Sequence, residues 1–149
     1  MKQLASIVAA ILLIMMTTNC KTVKHTADKL PKPQLQFGSG GGFVGKETTF
    51  VLLANGQLFM KDIKGNYTEM IKISEKKAKK CFKLSEALNS YKSNNPGNTY
   101  QFVGMYTDST AHKMVWGGTG RPSDTTMQKQ LVTLYDSLSK LVKEPTPKQ

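Results

Sequence analysis

Apolar and polar positions change their spacing several times along this chain, and each change marks an element. Leu35-Gln36-Phe37 alternates with a period of two, the repeat of a half-buried strand, and runs into Gly38-Ser39-Gly40-Gly41-Gly42-Phe43-Val44-Gly45. Residues 47–53 are rich in β-branched side chains, Asn55-Gly56 follows, and residues 57–60 are again largely apolar. Asn-Gly between two apolar runs predicts a hairpin, because a type I′ turn needs positive φ at both central positions. Residues 67–73 alternate as a further short strand.

The repeat then lengthens. Ser74 is placed to cap a helix starting at Glu75, along which Ala78, Cys81, Phe82, Ser85, Leu88 and Tyr91 recur every three or four residues. Lys76, Lys77, Lys79, Lys80 and Lys83 occupy much of the rest of that helix and form a basic patch. Asn94-Asn95-Pro96-Gly97-Asn98 stops it, residues 99–106 return as a strand, 107–111 turn, and 112–116 complete a second hairpin. After the loop at 117–122, Ser123 is predicted to cap the longest helix, with Asp124 in a first turn that favours an acid. Met127, Leu131, Leu134, Tyr135, Leu138, Leu141 and Val142 give that helix one apolar stripe. The order implies an α+β fold: a single antiparallel sheet of four to five strands, built from two hairpins, with two helices packed on one face.

A chain of 149 residues has room for one domain, expected over residues 35–142, with 143–149 as a disordered tail. The content of 39% hydrophobic and 21% charged residues is that of an ordinary globular protein. Residues 1–19 differ from the rest. Lys2 supplies a positive start, residues 4–16 are almost unbroken apolar, and Thr17-Thr18-Asn19-Cys20 closes the segment. The apolar run is shorter than the roughly 20 residues a bilayer-spanning helix needs. The segment resembles bacterial lipoprotein signals of the Bacteroidota type, in which Lys often follows the Cys as Lys21 does here. It departs from the usual pattern at Thr17 and Asn19. The resemblance implies cleavage before Cys20 and acylation of Cys20, which anchors the chain in a membrane, the outer one favoured over the inner. Residues 20–34, with Pro31 and Pro33, then read as a lipidated N-terminus and flexible tether.

With Cys20 acylated, Cys81 has no partner for an intrachain disulfide, and an unpaired thiol in an oxidising compartment is safest in the core. Cleavage removes Lys2 alone among the charged residues, which lowers the formal charge from +11 to +10. For an envelope protein the counterparts of that charge are anionic lipid, lipopolysaccharide or an acidic protein surface, and nucleic acid is not expected.

The chemical inventory is thin. Gly40, Gly41, Gly42, Phe43, Val44, Gly45 and Lys46 match the glycines and lysine of a phosphate-binding P-loop, but Glu47 stands where Ser or Thr must hold magnesium, and a β-rich run follows in place of a helix. The cluster reads either as a place where backbones approach closely or as an exposed loop that pairs with a partner. Cys81 and His112 are the one conceivable nucleophile and base, without a third group to orient them. No spacing suggests a metal site, and no cofactor is implied.

Gly41-Gly42-Phe43-Val44-Gly45 entering a strand, followed by hairpin, helix, a second hairpin near Trp116 and a closing helix, resembles the emfourin-like inhibitors of thermolysin-type metalloproteases. The resemblance covers about residues 35–142 and implies inhibition through exposed backbone at Gly41, Gly42, Phe43, Val44 and Gly45. Three functions follow in order. The first is a non-enzymatic envelope lipoprotein that binds another protein through residues 40–46. The second is a basic adaptor held on anionic lipid or lipopolysaccharide by Lys76 to Lys83. The third is a thiol-dependent hydrolase using Cys81 and His112.

Overall fold

A computed structural model of the protein describes residues 23–43, 45–117 and 125–143. Its strands are β1 (Gln34–Gly41), β2 (Thr48–Leu53), β3 (Gln57–Lys61), β4 (Tyr67–Lys72), β5 (Asn94–Asn95), β6 (Thr99–Tyr106) and β7 (Ala111–Gly117). The helices are α1 (Glu75–Glu86) and α2 (Thr126–Lys143). All seven strands form one sheet in the order β4-β3-β2-β1-β6-β7-β5, so the first strand of the chain lies at the centre. Along β1, Leu35 faces Leu52 on one side and Met105 on the other, and Phe37 faces Phe50 and Val103.

The expected sheet of four to five antiparallel strands is therefore corrected to a mixed sheet of seven, although the class remains broadly α+β. Two physical features account for the difference. β1 does not end at Phe37 but continues through Gly41, because glycines leave room for rings from β6 to lie across the strand. A Cβ on Gly38 would stand 1.9 Å from the Thr48 carbonyl oxygen and 3.0 Å from the Phe102 ring; one on Gly40 would meet the Tyr100 hydroxyl at 2.6 Å. The second feature is β5, which pairs in parallel with β7 through Asn94 and Asn95. Two polar residues carry no periodicity, so nothing in the hydrophobic pattern announces that strand.

Period-two alternation divides the sheet into two faces. Leu35, Phe37, Leu52, Leu58, Val103, Met105, Met114 and Trp116 point to the face shared with Ala78, Cys81 and Leu88 of the α1 region and Leu131, Leu134, Leu138 and Leu141 of α2, and all are buried. Trp116 meets Tyr135 edge-on at 5.4 Å, which ties β7 to α2. Ser74 caps α1, its side chain accepting from the Lys77 N–H. The long helix is capped at Thr125, whose hydroxyl accepts from the Gln128 N–H at 3.3 Å, rather than at Ser123, which lies outside the described residues.

On the opposite face Val51, Leu53 and Phe59 are covered by Ala27, Leu30 and Tyr67. The stretch expected as a flexible tether is thus docked over its described part. Gln57, fully buried, accepts from the His25 N–H at 2.8 Å and donates to the His25 carbonyl at 2.9 Å. Asn55 donates to the Val23 carbonyl at 2.7 Å. A polar side chain buried this deeply is tolerable because its hydrogen bonds are made, and these bonds fix the segment.

The glycine requirement of β1 is open to test. Gly38→Ala should lower unfolding free energy by about 3 kcal/mol, the upper range for overpacking against atoms that cannot yield. Gly45→Ala, where φ is +62° but the Cβ meets open space, should cost about 1 kcal/mol. Equal midpoints for the two variants in chemical denaturation would contradict this reading of β1.

Candidate functional site

The antiparallel register gives the sheet two ends. The turns joining β1 to β2 and β3 to β4, together with the start of β6, gather at one, called here the Phe43 end. The β2–β3 turn, the end of β4 and the β6–β7 turn gather at the other, the Asn55 end.

At the Phe43 end the predicted segment 40–46 is divided. Gly40 and Gly41 are strand residues, and a Cβ on Gly41 would stand 2.3 Å from the Asn98 carbonyl oxygen. Both belong to the end of β1 that pairs with β6. Beyond them Gly42 donates to the Asn98 carbonyl at 2.8 Å and Gly45 to the Gly42 carbonyl at 3.1 Å, which closes a tight turn. Phe43 stands at its tip with 107% of its reference area exposed. Val44 lies outside the described residues, and Lys46 is exposed.

The β3–β4 turn stands beside it. The Asp62 carboxylate accepts from the backbone N–H groups of Lys64 and Asn66, both at 2.8 Å, and from the Asn66 side chain at 2.9 Å. These bonds, the Asn66 side chain foremost, hold the Asp62 carboxyl below its ordinary range. Ile63, in the middle of this turn, is 81% exposed. Between the turns lies an open depression of about 460 Å³ lined by Lys46, Glu47, Lys61, Asp62, Ile63 and Lys64 among others. Ile63 was not among the predicted site residues. The signal for it was an isoleucine set between the Asp and Gly of a turn, where a polar residue is the norm.

One ionic cluster braces this end from beneath. Glu47 accepts from the Tyr100 hydroxyl at 2.8 Å, from the Lys113 ammonium at 3.3 Å and from the Thr49 hydroxyl at 3.1 Å. The Lys113 ammonium lies 4.0 Å from the Phe102 ring centroid, in cation–π position. Partial burial pushes the Glu47 carboxyl up, but the Tyr100 bond, the Lys113 charge and the Thr49 bond together outweigh it and hold the group below its usual value. The same bond to Glu47, ahead of burial, pushes the Tyr100 phenol up. Both shifts follow from the Tyr100 bond, which joins the β1–β2 turn to β6, while the Lys113 ion pair joins it to β7.

The remaining predicted residues lie elsewhere. Lys76, Lys77, Lys79, Lys80 and Lys83 are all exposed along α1, with Lys79 paired to Glu75 at 3.3 Å. This patch begins at the Asn55 end and is not brought together with the Phe43 turn. Cys20 lies outside the described residues. Cys81 is 4% exposed, and burial, opposed by the Lys80 charge, pushes its thiol up and away from the reactive thiolate. The His112 Nε2 is buried without a hydrogen-bond partner, so the thiol is not engaged with it. Among the described residues no three His, Cys, Asp or Glu side chains converge as a metal site. No protein-family model and no curated protein matches the chain.

Glu47 makes the stability of this end depend on pH. Its folded value lies below the ordinary 4.5, so its contribution is present above that pH and is lost as pH falls through the lowered value. Acid titration of the unfolding midpoint should show a smaller loss below that pH for Glu47→Gln than for the native protein. Identical acid sensitivity would mean that the cluster does not couple the turn to the sheet.

Proposed function

We propose that this protein is an envelope lipoprotein, anchored through acyl chains on Cys20, whose Phe43 end binds another protein. The observation that carries the reading is the pair of large apolar side chains, Phe43 and Ile63, held outward on two adjacent turns. Burying such a side chain in a partner's pocket contributes about 1.5 to 3 kcal/mol. Both turns are closed by hydrogen bonds, so little chain ordering opposes association. Lys46, Lys61 and Lys64 line the depression between them. The partner surface this fits is an apolar pocket rimmed by carboxylates, and the net charge of +10 left after removal of residues 1–19 favours the approach of such a surface.

The resemblance of residues 41–45 to emfourin-like inhibitors supports a specific form of the reading, in which the partner is a thermolysin-type metalloprotease. Backbone at the tip then occupies the cleft while Phe43 fills a side-chain pocket. This use is non-enzymatic, and needs neither a nucleophile nor a metal from this chain.

The full-length protein should retain a specific protein from detergent extracts of the envelope, and Phe43→Ala should weaken that binding about thirtyfold, the scale of a buried aromatic anchor. Because Phe43 is fully exposed, its replacement should leave the thermal midpoint unchanged. Undiminished retention by Phe43→Ala would overturn the assignment of the site. Titration against a thermolysin-type protease tests the inhibitor form, which predicts inhibition by the native protein and its loss in Phe43→Ala. Full protease activity at saturating native protein would eliminate that form.

A further inference from the structure

The docked N-terminal segment has a geometric consequence. Val23 is held by Asn55 and His25 by Gln57, both at the Asn55 end of the sheet, and Lys24 reaches Glu69 at 3.5 Å. Only Lys21 and Thr22 separate Val23 from Cys20. Three Cα steps span at most about 11 Å. The eight residues of β1 extend about 24 Å from one end of the sheet to the other. A membrane anchor on Cys20 is therefore confined to the neighbourhood of the Asn55 end and cannot reach the Phe43 turn.

The charge at that end suits a membrane. Lys72 closes β4, and Lys76 and Lys80 stand exposed in the first two turns of α1, which starts from the same corner. Of the acids nearby, Glu69 is paired with Lys24 and Glu75 with Lys79. Asp108 is exposed in the β6–β7 turn. Lysines within a Debye length, about 10 Å at 0.1 M salt, are attracted by an anionic surface.

We infer that the docked segment orients the whole molecule on the bilayer: the Asn55 end, with Lys72, Lys76 and Lys80, rests on anionic phospholipid headgroups, and Phe43 and Ile63 point away from it. The inference rests on the anchored reading of Cys20 and extends it from an address to an orientation. The segment acts as a short, stiff mount rather than a leash, which keeps the binding tip at one height above the membrane.

The test uses lipidated full-length protein in vesicles of phosphatidylethanolamine and phosphatidylglycerol, with a fluorophore at Ser109→Cys or at Ile63→Cys and a quencher on a lipid headgroup. Cys81, buried, stays unlabelled. The probe at 109 should be quenched several-fold more than the probe at 63, and Asn55→Ala with Gln57→Ala should bring the two together. Equal quenching in an acylated native-sequence background, or stronger quenching at 63, overturns the orientation and leaves the anchor standing. An intact mass showing unmodified Cys20 overturns both. Exchange of phosphatidylglycerol for phosphatidylcholine should narrow the difference between probes, and an unchanged difference overturns the headgroup contact.

Discussion

β1 is hydrogen-bonded along both edges, to β2 and to β6, and everything else in the molecule is registered from it. The arrangement places the first strand of the chain between two hairpins that are far apart in sequence. It works only because the two faces of β1 are treated differently. Leu35 and Phe37 supply full-sized side chains to the core beneath the helices, whereas Gly38 and Gly40 supply none to the other face, so that the rings of Phe102 and Tyr100 occupy that volume. A side chain at Gly38 would press on the Thr48 carbonyl of β2 and on the Phe102 ring of β6, and one at Gly40 on the Tyr100 ring, so β1 would be forced from the strands on either side of it.

That constraint also positions the Phe43 end. Gly41 and Gly42 carry β1 into its turn by close approach to Asn98, and Glu47 binds the far side of the turn to Tyr100 and Lys113. Phe43 is thus exposed on a turn braced at both feet. The opposite end of the sheet is organised by another device, the burial of Gln57, whose side chain serves as a backbone substitute for His25. The same antiparallel register that separates the two ends separates the two tasks proposed for the molecule, attachment at one and recognition at the other.

Elements with strong periodicity were legible in the sequence. Asn55-Gly56 marks the β2–β3 turn, but not as the type I′ turn it predicts: Gly56 has φ +88° while Asn55 does not have positive φ. The Gly56 N–H donates to the Leu53 carbonyl at 3.0 Å to close a loop over residues 54–56. The apolar stripe of the last helix contributes Leu131, Leu134, Leu138 and Leu141 to the core. What could not be read were features whose cause is tertiary. The continuation of β1 through its glycines depends on rings from a strand sixty residues away in sequence. β5 is two asparagines paired by position alone, and the docked segment around His25 has the composition of a linker while its hydrogen bonds come from Gln57. For the proposed site, the sequence singled out the segment 40–46, of which the structure places Gly40 and Gly41 in β1 and Phe43 at the tip of the turn. It overlooked Ile63, because adjacency of two turns is a property of sheet register.

In the proposed function the molecule recognises its partner through the Phe43 end. Site-specific photo-crosslinking in intact cells tests it most directly, with the photoreactive group placed at position 43, 63 or 109. Adducts with one and the same protein are expected from positions 43 and 63, and none from 109. Adducts confined to 109, or unrelated proteins captured at 43 and 63, would contradict it.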